Sequence, residues 1–177
     1  MIRKNSISKS IKAKVTTIIE GLTAYRVYLS KCNVGEAYSE YLFYEPVIRM
    51  MNHRKGLKIK CEFPIKKGEK RAGDYERIDF VIIDTDTEKV LLLIELKYCK
   101  KLGDVGNFKR DIIKLNEYRI EGQKDIAKCI IFNGSCSTDE KRFRQFKENV
   151  SHGLEVIDIS YMDTINKRFF SGAYLVR

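Results

Sequence analysis

Arg77-Ile78-Asp79-Phe80-Val81-Ile82-Ile83 and Val90-Leu91-Leu92-Leu93-Ile94-Glu95-Leu96-Lys97-Tyr98 are two apolar runs separated by Asp84-Thr85-Asp86-Thr87-Glu88-Lys89. Each run is short, rich in β-branched residues or leucine, and bounded by polar residues, which is the pattern of a strand. The spacer carries Asp and Thr side chains able to bond their own backbone, the chemistry of a turn. Together they predict a β-hairpin. Both strands are apolar on both faces, which places the hairpin in the interior of a sheet, not at its edge.

Side chains on a strand alternate faces, so Glu95 and Lys97 point the same way. Folding the hairpin about Thr87 sets Asp79 opposite Glu95 on that same face; a one-residue slip would move Asp79 to the other side. In this register two carboxylates and an ammonium converge. Unpaired charge is costly in a buried position, so acids placed there need a cation.

Glu-X-Lys is a common tripeptide, and it also reads as a surface ion pair at the end of a strand. Weight comes from the conjunction: Ile78-Asp79-Phe80 opening one hydrophobic strand, a short turn, then Ile94-Glu95-Leu96-Lys97 closing the next. These residues resemble the PD-(D/E)XK nuclease superfamily, with Arg77-Ile78-Asp79 standing where the family has Pro-Asp. The resemblance spans about residues 36–160. It implies an α/β fold: a restriction-endonuclease-like mixed β-sheet flanked by helices, here with an extra N-terminal helix. It further implies Asp79 and Glu95 as Mg²⁺ ligands, with Mn²⁺ as a substitute, and the Leu96 backbone carbonyl completing the shell. Lys97 would activate the attacking water. A helix before the sheet often supplies one more acid in this superfamily, and Glu40 is the first candidate, Glu45 the second. The implied activity is that of a cytoplasmic, metal-dependent endonuclease acting on DNA.

The chain has 177 residues, enough to bury a real core as one globular domain. Composition is that of a folded protein, with 44% hydrophobic and 33% charged residues. Lys+Arg 34 against Asp+Glu 24 leaves a charge of +10, which attracts a polyanion such as nucleic acid. The five cysteines, Cys32, Cys61, Cys99, Cys129 and Cys136, are odd in number and form no Cys-X-X-Cys pair; they read as reduced thiols of a cytoplasmic protein. No signal peptide and no 18-residue apolar stretch is expected, and so no membrane partner. His53 and His152 are too few and too distant for a histidine-based nuclease or a His-rich zinc site. There is no Gly-X-X-X-X-Gly-Lys-Ser/Thr phosphate loop.

From Ser6 to Ser30, Ile7, Ile11, Val15, Ile18, Leu22, Tyr25 and Leu29 recur every three or four residues, an amphipathic helix. Residues 1–35 thus form an N-terminal helix packing on the core, or zipping onto a second copy or a protein partner; residues 36–177 form the nuclease-like domain. A second helix is expected from Gly35 to Asn52, with Glu40, Tyr44, Val47 and Met51 on one face and Pro46 kinking it or marking a second start. Glu45 and Arg49 read as a surface pair. Leu57 to Phe63 alternates as a half-buried strand that Pro64 ends.

Residues 54–71 hold eight Lys or Arg against two Glu. Lys66, Lys67, Lys70 and Arg71 read as a phosphate-gripping loop, or simply as a solvated face. Lys100 and Lys101 follow the Glu-X-Lys strand and join this nucleic-acid-binding set. A helix from Asp104 to Ile120 should turn Val105, Phe108, Ile112, Leu115 and Arg119 inward, with Gly122 as its stop. On it, Asp111 and Lys114 sit one turn apart and read as a pair; Lys114 is also a candidate phosphate contact. Ile126–Phe132 predicts a strand, Ser137-Thr138-Asp139-Glu140 a capping box opening a helix, and Leu154–Ile159 a last strand. Residues 161–177 give no clear reading. A rival to the enzyme is a nucleic-acid-binding or assembly module that keeps the fold without turnover.

Overall fold

The computed structural model describes residues 9–32, 40–51, 56–65, 76–99, 105–120, 122–123, 126–135, 140–152, 156–162 and 169–176. In order they form α1 (Lys9–Lys31), a 3₁₀ turn (Glu40–Phe43), α2 (Tyr44–Met51), β1 (Leu57–Ile65), β2 (Glu76–Asp84) and β3 (Val90–Cys99). There follow α3 (Val105–Glu117), β4 (Ala127–Ser135), α4 (Glu140–Ser151), β5 (Val156–Met162) and β6 (Phe169–Val176). The architecture is α/β: one six-stranded mixed sheet in the order β1-β2-β3-β4-β6-β5, with helices on both faces.

β3 lies inside the sheet, antiparallel to β2 and parallel to β4, with α3 as the crossover between the parallel pair. Its apolar run is therefore buried on both sides, as the lack of alternation predicts. The β2–β3 turn is built by Asp84, whose Oδ1 accepts from the backbone N–H of Asp86 and Thr87 and from the Thr87 hydroxyl. The predicted symmetric fold about Thr87 is broken in one place. Pairing shifts between Ile82↔Leu92 and Ile83↔Val90, so β3 carries one extra residue, the exposed Leu91, a β-bulge.

Two apolar clusters cover the two faces. On one, Phe108, Ile112 and Leu115 of α3 and Phe146 and Val150 of α4 pack on Val81, Leu93, Ile130, Phe132 and Tyr174. On the other, Val15, Ile18, Leu22 and Leu29 of α1 join Val47 and Met51 of α2 over Phe80, Ile94, Leu96, Ile131 and Leu175. The α1 stripe is thus spent on the chain's own sheet, and the spacing that suggested a zipper to a partner helix is explained within the domain. α1 also buries Arg26, whose guanidinium lies 5.7, 5.3 and 5.0 Å from the ring centroids of Phe43, Tyr98 and Phe169. That cation–π cluster ties α1 to the 3₁₀ turn, β3 and β6.

Several expectations shift. The Gly35–Asn52 helix is, among the described residues, a 3₁₀ turn followed by a fresh start at Tyr44. Pro46 then falls in the first turn of α2, where its missing N–H costs nothing. β1 does not stop at Pro64 but continues to Ile65, because it is an edge strand and proline is tolerated there. Arg119 is exposed beyond α3, not inward, and its guanidinium donates to the carbonyls of Asn116 and Tyr118. Lys128, buried on β4, donates to the same two carbonyls at 2.7 and 2.8 Å, so both cations cap the helix end. Lys66, Lys67, Lys70, Arg71, Lys100, Lys101 and residues 137–139 of the capping box lie outside the described residues.

The final strand, β6, has no counterpart in the sequence reading, yet it is buried along its whole length between β4 and β5. Gly172 breaks its apolar run for a packing reason: a Cβ there would meet Phe132 Cζ at 2.2 Å. Gly134 on β4 is its mirror, with Phe170 Cζ and the Cys99 carbonyl each 2.6 Å from a would-be Cβ. Each glycine makes room for an aromatic ring of the neighbouring strand.

Candidate functional site

The β2–β3 ladder is paired from Ile83 to Phe80, and continuing Phe80↔Ile94 outward by one residue sets Asp79 opposite Glu95. Here the Asp79 side chain takes the place of a backbone rung: the Leu96 N–H donates to Asp79 Oδ2 at 2.6 Å. On the other strand edge, pairing between β1 and β2 runs through Cys61↔Phe80 and Phe63↔Ile78 but skips the residues between them, Glu62 and Asp79. Glu62 there adopts a positive φ of 51°. Three carboxylates, Glu62, Asp79 and Glu95, thus occupy one row across three adjacent strands.

Tyr44, at the start of α2, reaches into this row. Its hydroxyl contacts Asp79 Oδ1 and lies 2.8 Å from Glu62 Oε1, and its ring packs 4.7 Å from Phe80. Burial and the two carboxylates push its phenol far above the ordinary tyrosine range. Glu40, in the 3₁₀ turn just before, accepts the Tyr98 N–H at 3.1 Å and stands 3.9 Å from Lys97 Nζ. Of the two acids considered on this segment, Glu40 joins the site. Glu45 pairs at 2.7 Å with Arg49 in solvent, as its spacing predicts.

From the opposite face of the sheet, α3 contributes two charges. Lys97 Nζ is 2.8 Å from Asp111 Oδ2, and Lys114 Nζ is 3.6 Å from Glu95 Oε1 and 3.2 Å from the Arg77 carbonyl. Asp111 and Lys114 do not pair with each other, as their helical spacing suggests. Each crosses to the opposite charge on β3, because Glu95 and Lys97 stand on the face that α3 covers.

The balance of charge leaves a deficit of cations. Glu95 is 7% exposed, and its Oε2 is buried without a hydrogen-bond partner among the described residues. Burial, then the charge of Asp79, push its carboxyl up to about 7, despite Lys114. Burial likewise raises Asp79 and Glu40 above the usual carboxylate range. Lys97 moves the other way from most buried lysines: burial pulls it down, but Asp111 and Glu40 outweigh this and hold its proton more tightly than usual.

Among the described residues, no three His, Cys, Asp or Glu side chains stand close enough together to hold a metal ion between them. Mg²⁺ asks for less, binding through one or two carboxylates and keeping several waters. Asp79 and Glu95 meet that demand in donor chemistry, and the orphaned Glu95 Oε2 is an acceptor in want of a cation. Sequence reasoning missed Tyr44, Glu62 and Asp111. Only Asp111 left a signal, an acid–base spacing on α3 that complements Glu95 and Lys97 on β3.

No family model, curated protein or solved structure matches the chain. No helix of the described residues is long and apolar enough to cross a membrane.

Proposed function

We propose that the chain is a metal-dependent endonuclease that hydrolyses phosphodiester bonds in DNA, built on a restriction-endonuclease-like sheet. The observation that carries this reading is the pair of carboxylates at the parted end of β2 and β3, Glu95 buried and Asp79 half-buried, with one Glu95 oxygen unpaired among the described residues and the Glu95 carboxyl raised to about 7. Asp79 and Glu95 would hold Mg²⁺, or Mn²⁺ in its place, with Glu40 near enough to Lys97 to belong to the same electrostatic field. When bound, the ion polarises the scissile phosphate and eases deprotonation of a water. The chain's own residues prepare the rest. The Leu96 N–H and the Tyr44 hydroxyl fix both oxygens of Asp79, so its direction is set before any ligand arrives.

Lys97 has a different role from a general base. Held beside Asp111 with its proton bound tightly, it acts as a fixed positive charge that offsets the charge building on the phosphate. Lys114 serves Glu95 in the same way until a cation takes over that task, and is then free to meet a phosphate oxygen. The net charge of +10 supplies sequence-independent attraction to the backbone.

A second reading is favoured by one observation: Lys97–Asp111 and Lys114–Glu95 neutralise each other within the protein. A binding or assembly module that never turns over needs nothing more. Cleavage of supercoiled plasmid and of a labelled branched duplex, with Mg²⁺, Mn²⁺ or EDTA, separates the two. Metal-dependent cutting by the wild type, abolished by Lys97→Ala and lowered about tenfold by Asp111→Asn, is the expected outcome. Binding without cutting, unchanged by either substitution, would leave only the module.

A further inference from the structure

We propose that Tyr41 is a stacking platform for an unpaired nucleobase, placed beside the acidic row so that a strand end or branch is presented to it. The proposal rests on the nucleic-acid reading above and narrows its substrate to one with unstacked bases. Among the described residues, four large hydrophobic side chains remain exposed: Tyr28, Tyr41, Leu91 and Ile113. Leu91 is the bulge residue of the hairpin, Ile113 is aliphatic, and Tyr28 stacks on Tyr25 along α1 with its ring centroid 6.5 Å away. Tyr41 is the most open of them, at 69%. A single exposed ring is ordinary in a soluble protein. Its position is what sets Tyr41 apart.

Tyr41 follows Glu40 in the 3₁₀ turn and ends a line of three rings leading out of the core. Phe80 is fully buried, Tyr44 lies 4.7 Å from it, and Tyr41 lies 5.2 Å from Tyr44, tilted by 50°. The middle ring of that line carries the hydroxyl that touches Asp79. Tyr41 is therefore braced from within by the side chain that orients the candidate metal ligand, while its outer surface faces water. A ring held in this way loses little freedom when a base settles on it, and stacking on an aromatic side chain is worth about 1–3 kcal/mol per base whatever the base. Bases inside a duplex already have both faces covered by their neighbours. The ring can take only a base that is free of such partners: one in a single strand, a flap or a branch. The positive charge of the chain supplies the backbone attraction that stacking alone does not.

The test is fluorescence anisotropy with labelled DNA as single strand, flapped duplex and blunt duplex of equal length, in Ca²⁺ or EDTA so that nothing is cut. Tyr41→Ala should weaken single-strand and flap binding by about 5- to 150-fold while leaving blunt-duplex binding and the melting temperature unchanged. Tyr41→Phe, which keeps the ring, should bind as the wild type does. Equal single-strand affinity of wild type and Tyr41→Ala would overturn the proposal, as would an equal loss on all three probes. Plasmid cleavage in Mg²⁺, run alongside, tells the two levels apart. Cutting with no Tyr41 effect removes the platform alone, whereas no binding and no cutting of any probe removes the nucleic-acid reading and the platform with it.

Discussion

Under α1, Thr23, Asn133 and Ser171 form a neutral cluster bonded within itself: the Thr23 hydroxyl donates to Ser171 Oγ at 2.8 Å, and Asn133 Nδ2 donates to the same oxygen at 2.7 Å. At the parted end of β2 and β3 they are charged, and the acids outnumber the cations beside them. Glu40, Glu62, Asp79, Glu95 and Asp111 face Lys97, Lys114 and the longer 3.7 Å contact of Arg77 with Glu62. Among the described residues, the first cluster leaves the neutral acceptor Asn133 Oδ1 without a partner, at a cost of about 1–3 kcal/mol. The second leaves a carboxylate oxygen, which costs more and is met by a shifted pKa. Under the proposed function, the charged arrangement is the one that would receive a cation.

The largest effect that sharpens this contrast is the pH dependence of stability. Glu95 sits near 7 in the folded protein against an ordinary 4.5, so the folded state keeps a proton that the unfolded chain has already released in between. Stability from this group is present at low pH and falls as pH rises from about 4.5 to about 7. Chemical denaturation of wild type and Glu95→Gln should therefore diverge: between pH 4 and pH 8 the wild type loses on the order of 3 kcal/mol that the variant keeps. Parallel pH curves for the two proteins would refute a charge-strained site.

The neutral cluster should respond in the opposite manner. Ser171→Ala removes the shared acceptor and strands the buried Asn133 amide, while the Thr23 hydroxyl keeps the Ile19 carbonyl 3.0 Å away. We expect a loss of about 1–3 kcal/mol, read as a melting temperature lower by about 2–10 °C, equal at pH 5 and pH 8. A pH-dependent loss would mean that the two regions are electrically coupled. The smallest effect belongs to Glu45→Ala. Its pair with Arg49 is open to solvent on both sides, so stability should move by less than about 0.5 kcal/mol and any cleavage activity should not move at all. A marked loss of activity in that variant would return Glu45 to the list of site acids.

Much of the site was legible in the sequence, for reasons that are local. The place of Asp79 opposite Glu95, one step beyond the last paired residues, follows from two apolar runs and a turn rich in Asp and Thr, and the shared face of Glu95 and Lys97 follows from strand alternation. Glu40 was legible as an inward residue of its segment, although the segment is a 3₁₀ turn and not the middle of a helix. Tyr44 was read as part of an apolar face. Its ring does pack there, but its hydroxyl is what touches Asp79, and ring and hydroxyl cannot be separated by periodicity. Glu62 looked like the polar half of an alternating strand; its place in the row depends on a skipped pairing and a positive φ that no spacing announces. β6 was illegible because Ser171 and Gly172 interrupt its apolar run, and the rings that make glycine necessary there come from another strand.

The sequence by itself determined the hairpin, the central position of β3, the helical stripes and the acid–lysine spacing. These depend on residues a few positions apart, and backbone periodicity alone brings them to one face. Only the tertiary structure decided which charges meet. Asp111 and Lys114 are neighbours on α3, yet each pairs across to β3, since the parallel crossover lays α3 on the face that carries Glu95 and Lys97. It also decided that β6 enters the middle of the sheet, that α1 spends its apolar stripe at home, and that Tyr44 and Glu62 close around Asp79. Such contacts join residues tens of positions apart, and the free energy that selects them comes from burying whole faces together, which no local pattern contains.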